Sequence, residues 1–272
     1  MDESIYLHGT APQEQNRLSL LNDLLNESAI QMMNLKGGER ILDIGSGLGQ
    51  FTRAMARAAG RTVVGVERSN EQITEARALA VQERQADLLD LRQGSATSLP
   101  LRKDEWDHFD VVHTRFLLEH VPDPLAVVRM MVEAARPGGR IILQDDDHDV
   151  LRIYPEPQGF YELWAAYQKT YEEVGNDPQI GRRLVQLLEQ SGATPVRNHW
   201  LFFASCSGHP HFQLYVKNLL GVIHSGKKAI FATKLLDQSK YDESIQAVEA
   251  WSNRLDAALW YAVCWAEGTK KP

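Results

Sequence analysis

A cluster of small and acidic residues near the start of the chain has the composition of a ligand-binding loop. Its members, in chain order, are Asp43, Gly45, Ser46, Gly47 and Gly49. Glycine adopts positive φ without strain and leaves room for a ligand against the backbone. An apolar pair, Ile41 and Leu42, comes before the cluster, and a helical pattern begins at Gln50. Exposed N–H groups at such a helix start favour a negatively charged ligand group, so the run predicts a binding site.

The spacing of the three glycines narrows the choice of ligand. One residue separates each glycine from the next, whereas the dinucleotide fingerprint has two residues before its third glycine. A second apolar stretch, residues 61–66, ends at Glu67, and an acid at this point can accept hydrogen bonds from ribose hydroxyls. Glu67 therefore predicts a ligand that contains a nucleoside, but it does not distinguish a nicotinamide cofactor from other nucleoside cofactors. Arg68 follows it and is placed either to stack near the base or to remain a solvated surface arginine.

Three further segments help to distinguish a nicotinamide cofactor from other nucleoside cofactors. Residues 93–100 read Q-G-S-A-T-S-L-P, residues 109–121 read F-D-V-V-H-T-R-F-L-L-E-H-V, and residues 136–140 read R-P-G-G-R. Together with the glycine run, they resemble the motifs of class I S-adenosylmethionine-dependent methyltransferases, in particular the small-molecule enzymes of ubiquinone and menaquinone biosynthesis. The resemblance covers about residues 38–146. It implies an enzyme that transfers a methyl group from S-adenosyl-L-methionine to a small-molecule acceptor.

The resemblance also implies which residues contact the cofactor. Ser95 stands where the family has an acid that contacts the adenine amine, and its hydroxyl can still accept one hydrogen bond. Arg115 is placed to pair with the cofactor carboxylate. Asp43 is placed to act through loop N–H groups or the cofactor amino group, or to hold the loop. The full predicted cofactor site comprises Asp43, Gly45, Ser46, Gly47, Gly49, Glu67, Arg68, Ser95, Ala96, Thr114 and Arg115.

Three other functions compete with this interpretation. A nicotinamide-dependent oxidoreductase shares the fold type, but the glycine spacing argues against it. A non-catalytic protein that binds S-adenosylmethionine would keep the same fold, and Ser95 in place of the usual acid leaves room for it. A methyltransferase that acts on macromolecules is disfavoured by the acidic charge of the chain.

Methyl transfer demands little of the protein beyond positioning. The sulfonium is already a strong electrophile, so catalysis is mainly in-line placement of the acceptor, with proton removal where the acceptor requires it. His120 is the candidate general base because histidine titrates near neutral pH. The alternative for His120 is a structural role near the cofactor, since the same segment occurs in family members that need no base. Glu119 is interpreted as a structural or solvated acid.

A run of four acids and one histidine follows the fifth predicted strand. Its members are Asp145, Asp146, Asp147, His148 and Asp149. Three interpretations compete: a solvated acidic loop, a set of carboxylates that binds a cationic amine acceptor, or a divalent metal site. Asp146 is the candidate for contact with the acceptor. We predict no metal, because the sequence shows no second acidic cluster to complete a ligand shell.

The elements that must position these residues alternate between strand and helix. Apolar strand patterns occur at residues 40–44, 62–67, 88–93, 109–113 and 139–145. Helical patterns separate them, which predicts an α/β fold with a Rossmann-like, doubly wound parallel sheet. The strands of such a sheet end along one edge, where ligands bind. The family resemblance implies seven strands with an antiparallel last strand.

Two flanking segments complete one predicted domain around this core of residues 38–150. Residues 1–37 contain an amphipathic helical pattern, and Tyr6–Arg17 either fold over the cofactor as a lid or pack on the sheet. Residues 151–272 complete the sheet and insert a helical cap over the acceptor. Aromatic residues of the cap either line an apolar pocket or pack in its core. Some of these aromatic residues lie in the helical pattern 158–174. The others are Trp200, Phe202, Phe203 and Tyr215, with His209 and His211 nearby.

Composition limits the partners and the location of the protein. The chain has 272 residues, of which 43% are hydrophobic and 24% charged, and its formal net charge is −7. This acidity argues against nucleic-acid binding, which requires a basic face. Two scattered cysteines and an acidic N-terminus predict a reduced, cytoplasmic protein. No apolar run reaches the roughly 18 residues needed to span a membrane.

Overall fold

The computed structural model describes residues 25–272. Helix α1 occupies residues 25–33, and Leu25, Ala29 and Met33 are buried along one face of it, as the amphipathic pattern predicts. This face packs in a cluster with Phe51 and Trp265. The predicted lid lies outside the described residues.

The described residues form an eight-stranded mixed sheet. Its strands are β1 (Ile41–Ile44), β2 (Val63–Glu67), β3 (Leu89–Gln93), β4 (Phe109–Arg115), β5 (Ala135–Asp146), β6 (Arg152–Tyr154), β7 (Ala193–Cys206) and β8 (Ala258–Lys270). The order is β3-β2-β1-β4-β5-β8-β6, and β7 also pairs with β8. Strands β1 to β5 pair in parallel, whereas β8 is antiparallel to its neighbours. The predicted α/β fold with an antiparallel last strand is confirmed. The short β6, which the sequence analysis missed, adds an eighth strand.

Helices pack on both faces of this sheet. They are α2 (Gln50–Ala59), α3 (Asn70–Gln82), α4 (Pro124–Ala134), α5 (Phe160–Glu172), α6 (Leu184–Gln190), α7 (Phe212–Ser225), α8 (Lys227–Ala232) and α9 (Gln238–Ser252). Strand β1 illustrates the layering, because alternate residues of a strand point to opposite faces. Ile41 packs with α1 and α2, whereas Leu42 and Ile44 pack with α4 and α6. None of the helices within residues 25–272 is long and apolar enough to cross a membrane.

The register of the parallel strands brings four loops to one edge. Ile44 of β1 pairs with Val66 of β2 and with Thr114 of β4, and Thr114 pairs with Leu143 of β5. The residues that follow these strands therefore begin at nearly the same level. This arrangement places the glycine run, Glu67, the segment after β4 and the acidic run around one cleft, as the sequence predicts.

The cap has an apolar core of its own. Phe160 and Tyr167 of α5 pack in one cluster with Phe212 of α7, Ile230 of α8 and Trp251 of α9. Helices α7 to α9 lie between β7 and β8 in the chain. The division of the chain into three segments stays a prediction.

A buried ion pair fixes the end of β3 and gives the fold an acid-sensitive element. Arg92 Nη1 donates to Glu105 Oε2 at 2.6 Å, and Glu105 is buried. The hydrogen bond from Arg92 lowers the pKa of Glu105 from 4.5 to about 2. A depressed folded-state pKa means that the stabilisation is complete above the unfolded-state pKa and is lost as pH falls from about 4.5 towards 2.

We expect that Glu105→Gln removes this part of the acid dependence of stability. Urea unfolding at about pH 6 and about pH 3 measures it, because the wild type gains more stability between the two pH values than the variant does. The exposed neighbour Asp104 offers a matched control, Asp104→Asn. An identical pH dependence for Glu105→Gln and the wild type would contradict the assignment.

Candidate functional site

A cavity of about 730 Å3 lies at the carboxyl edge of the sheet. The glycine run and the end of β2 bound one end of it, and α5, α7 and β8 bound the other. Every predicted cofactor or catalytic residue lines this cavity except Thr114. The fold thus collects residues that are far apart in the chain around one space large enough for a small molecule.

The glycine loop is shaped by backbone conformation and by close packing. Gly45 has φ 78° and Gly47 has φ 51°, in the left-handed region that favours glycine. A Cβ atom on Gly45 would lie 3.3 Å from the side chain of Leu117. The Ser46 hydroxyl is buried and has no hydrogen-bond partner among residues 25–272. The loop therefore presents backbone and one buried hydroxyl to the cavity.

The Glu67 carboxylate is held rigidly at the end of β2. Its Oε2 accepts from the Gly47 N–H at 3.1 Å, and its Oε1 accepts from the Ser69 N–H at 2.8 Å. The Ser69 hydroxyl in turn accepts from the Gln72 N–H and caps helix α3. Two loops therefore fix the orientation of one carboxylate in the cavity wall.

Arg68, Ser95 and Ala96 line the cavity beside Glu67. The Gly94 N–H donates to the Glu67 carbonyl at 3.0 Å, which holds the segment after β3 against the end of β2. The Ser95 hydroxyl lies 3.0 Å from the Thr97 hydroxyl and accepts from the Thr97 N–H at 3.3 Å. The serine that replaces the family acid is thus held in a local turn at the cavity wall.

The last two residues of β4 have different surroundings: Thr114 is buried, whereas Arg115 lines the cavity. Thr114 is fully buried, and its hydroxyl donates to the Ile44 carbonyl at 2.8 Å. The Thr114 side chain therefore joins β4 to β1, and its predicted place in the cofactor site, through the backbone, stays a prediction. Arg115 lines the cavity, lies 4.1 Å from the centre of the Phe51 ring and donates to Asn26 at 2.9 Å. Burial lowers the pKa of Arg115 to about 10, so it remains a cation at neutral pH.

Asp43 is held in a buried hydrogen-bond chain beneath the glycine loop. Thr52 donates to Asp43 Oδ2 at 2.6 Å, and His113 Nδ1 lies 2.8 Å from Asp43 Oδ1. The Gln144 amide lies 2.8 Å from His113 Nε2, so the imidazole proton is on Nδ1 and points at Asp43. Burial lowers the pKa of His113, which keeps the imidazole neutral. Both oxygens of Asp43 thus have partners from the protein, which supports its predicted role in holding the loop.

The acidic run after β5 separates into groups with different functions. Asp145 is fully buried and accepts from the N–H groups of Leu117 and Leu118 at 3.2 and 2.7 Å. Burial, with the nearby charges of Glu119 and Asp146, raises the pKa of Asp145 well above its usual range. Asp145 therefore anchors the turn that carries Glu119 and His120.

Two other acids of the run are bound by one arginine. Arg182 donates to both oxygens of Asp147, at 2.8 and 2.7 Å, and to Asp149 at 2.6 Å. Asp147 is buried and Asp149 is exposed. The interpretation of the whole run as a solvated loop is therefore wrong, because only its last acid is exposed.

The remaining members of the run meet Glu119 at the cavity wall. His148 Nε2 lies 3.2 Å from Glu119 Oε2 and 3.8 Å from Asp146 Oδ2, and one ligand atom from each of the three residues lies within 4.8 Å of the others. His120 Nε2 lies 3.4 Å from the other Glu119 oxygen. We name Glu119, Asp146 and His148 the acid–histidine cluster. The sequence analysis missed it, although it predicted that the segments after the fourth and fifth strands lie at one edge of the sheet.

Aromatic rings of α5 surround the acid–histidine cluster. The His148 ring is stacked on Tyr167 with centroids 5.6 Å apart and meets Tyr171 edge-on at 5.0 Å, and the Trp164 indole N–H donates to the His148 carbonyl. Of the other predicted pocket residues, Phe203 and Tyr215 line the cavity. The rest of that group do not, since Trp200, Phe202, His209 and His211 are exposed.

Comparisons with known proteins agree with this geometry. A family model described as a methyltransferase domain matches residues 13–213. A demethylmenaquinone methyltransferase of Bacillus velezensis is 28% identical over 193 residues, which cover 64% of this chain and 78% of that protein. A 27-O-demethylrifamycin SV methyltransferase of Amycolatopsis mediterranei is 32% identical over 168 residues, which cover 62% of this chain and 57% of that protein.

Solved structures extend the similarity of fold across most of the chain. A phosphoethanolamine N-methyltransferase of Haemonchus contortus, in complex with phosphomonomethylethanolamine and S-adenosylhomocysteine, matches 95% of this chain and 53% of that one. The TM-score is 0.53 at 17% identity. The family match overturns the nicotinamide alternative and confirms the cofactor and the type of enzyme inferred from the motifs. The chain belongs to the class I methyltransferases, which use S-adenosyl-L-methionine as the methyl donor.

Proposed function

We propose that this enzyme methylates a small acceptor that has a largely apolar body and carries no phosphate group. The observation behind the proposal is the difference between the two ends of the cavity. The lining residues from the cap are aromatic or aliphatic, apart from Asn218, and none of those described is Lys or Arg. Among the residues that the structure describes, the arginines that line the cavity are Arg68 and Arg115, and they lie at the end formed by β2 and β4.

The end with the glycine loop fits the methyl donor. The fixed Glu67 carboxylate would accept from the ribose hydroxyls, and the buried Ser46 hydroxyl would find its partner in the ligand. Ser95 and Ala96 would lie against the adenine, with Arg68 beside them. Arg115 would pair with the cofactor carboxylate. When bound, the cofactor supplies an electrophilic methyl group on its sulfur atom. The protein positions the acceptor for attack on that group.

The other end would hold the acceptor. Tyr167, Tyr171 and Trp164 would pack on its apolar body, while the acid–histidine cluster and His120 lie where its polar group would meet them. None of the described residues that line this end is Lys or Arg, so a phosphate group on the acceptor would meet no cationic side chain there. The acceptor proposed here therefore differs from the phosphate-bearing ligand of the Haemonchus contortus enzyme.

The net charge of −7 supports the further proposal that the acceptor is not a nucleic acid. The thiols of Cys206, exposed, and Cys264, buried, form no disulfide. They support the proposal of a reduced, cytoplasmic location.

An acceptor panel with methyl-labelled S-adenosylmethionine tests the proposed function. The panel pairs dihydric phenols, aliphatic diols and amino alcohols with their monophosphate esters, so that both members of each pair keep a free hydroxyl or amino group to accept the methyl group. We expect label transfer to the unphosphorylated member of a pair and at least tenfold less transfer to the phosphorylated member. Preferred transfer to phosphorylated acceptors would refute the proposal, and calorimetry with S-adenosylhomocysteine verifies that each preparation binds cofactor product.

A further inference from the structure

We propose that the acid–histidine cluster is a divalent metal site that binds a hydroxyl oxygen of the acceptor. This inference rests on the proposed function, because the acceptor oxygen is its remaining ligand. It revises the sequence-based prediction of no metal. That prediction depended on the lack of a second acidic cluster, and Glu119 supplies the missing carboxylate from the adjacent strand end.

The distances within the cluster suit a metal ion. Carboxylate oxygens and imidazole nitrogens bind first-row metals at about 2.0–2.2 Å, so neighbouring ligand atoms lie about 3–3.5 Å apart. His148 Nε2 is 3.2 Å from Glu119 Oε2, within this range, and 3.8 Å from Asp146 Oδ2. The longer distance belongs to Asp146, which is only partly buried.

His148 is prepared to act as a metal ligand. It is 3% exposed, and its Nε2 points at both carboxylates. One ligand atom from each of the three side chains therefore faces a common point. A cation at that point stabilises all three groups together.

The positions of the three side chains are fixed by their surroundings. Asp145 anchors the turn before Glu119, and the Asp177 N–H donates to the Glu119 carbonyl at 3.2 Å. The His148 N–H donates to the Pro178 carbonyl at 3.0 Å. One loop, residues 177–178, therefore holds the backbones of Glu119 and His148 together. Preorganised ligands of this kind reduce the cost of metal binding.

The ligand atoms of the cluster indicate which metal ions the site would bind, and the cavity indicates what else would coordinate the ion. One nitrogen and two oxygen ligands favour first-row ions such as Mn2+ or Zn2+ over Ca2+, which prefers oxygen ligands alone. All three residues line the cavity, so the remaining coordination positions face the acceptor. The two carboxylates balance the charge of the ion, and the ion favours ionisation of a bound hydroxyl.

The chemical step follows from this placement. The hydroxyl proton passes to solvent and the acceptor oxygen forms a bond to the methyl carbon. The carbon–sulfur bond of the methyl donor breaks, and its electron pair stays on sulfur. We therefore expect O-methylation, with metal-dependent transfer.

Metal titration of the chelator-treated protein tests the site without an acceptor. Calorimetry and thermal unfolding with Mn2+ and Zn2+ should detect one site per chain. We expect Glu119→Gln, Asp146→Asn and His148→Gln each to weaken binding by about 100-fold or more, since loss of even an outer-shell partner costs about 10–100-fold. The control Asp149→Asn alters an exposed acid of the same run that pairs with Arg182, and it should bind metal like the wild type.

Three results would overturn the proposal. They are no uptake of either ion at micromolar concentration, unchanged affinity in the cluster variants, and methyl transfer to a hydroxyl acceptor that persists after chelation. Unchanged affinity for S-adenosylhomocysteine verifies that each variant is folded. Metal binding without transfer to any small acceptor would instead count against the proposed function and against the role of the ion in binding the acceptor. Transfer that is lost on chelation and restored by Mn2+ supports both.

Discussion

His113→Ala is expected to lower the free energy of unfolding by about 3–5 kcal/mol, because it removes a buried ring and leaves the Asp43 carboxylate buried without one of its two hydrogen-bond partners. Asp43 is 3% exposed and His113 is 1% exposed, so neither group can regain water without local opening. The lost ring also leaves space beside Phe51, whose ring centre lies 5.0 Å from that of His113. Urea denaturation measures the change as a lower midpoint at an unchanged slope.

An exposed histidine of the same chain provides the control for this experiment. His108→Ala removes a ring at the surface and should change stability by no more than about 0.5 kcal/mol. A His113→Ala protein as stable as the His108→Ala protein would show that the buried chain from Thr52 to Gln144 does not hold β1 against β4. In that case, support of the glycine loop would not explain the role of Asp43.

Glu67→Ala is expected to weaken binding of S-adenosylhomocysteine by about 1–3 kcal/mol, or roughly 5-fold to 150-fold, if the carboxylate accepts from the ribose hydroxyls. The variant also removes the acceptor of the Gly47 and Ser69 N–H groups, which loosens the loop on both sides of the cofactor. Calorimetry at constant pH and salt measures the affinity directly.

Two comparison variants make this result specific. Glu75→Ala removes an exposed acid of α3 and should leave the affinity unchanged. Glu67→Gln keeps the shape and one acceptor oxygen, so its affinity should lie between those of the wild type and Glu67→Ala. Equal affinities for all three variants would contradict the ribose assignment.

The sheet and the cofactor end were predictable because each depends on local pattern. Apolar, β-branched segments such as 62–67 indicate strands, and alternation with helices requires parallel pairing. The rule that ligands bind at the carboxyl edge then placed Glu67 and Asp146 in one cleft. The buried position of the Thr114 side chain was not predictable, because residues of a strand alternate between its faces and the resemblance did not fix which face Thr114 occupies.

The acid–histidine cluster could not be predicted because it depends on side-chain direction in two turns. Asp145, which looked like one acid among four, is turned inward to bind the backbone of Leu117 and Leu118. Arg182, distant in sequence, holds Asp147 and Asp149 away from the cavity. Neither contact has a local signature. What the sequence presented as a uniform acidic run is therefore three separate structural units.

The contact between Leu117 and the glycine loop has a consequence for how the two substrates are brought together. The side chain of Leu117 lies directly over Gly45, while its N–H group is bound to Asp145. Leu117 therefore joins the glycine loop at the donor end of the cavity to Asp145, which anchors the turn that carries Glu119 and His120 at the acceptor end. A change at Leu117 would therefore act on both ends of the cavity at once.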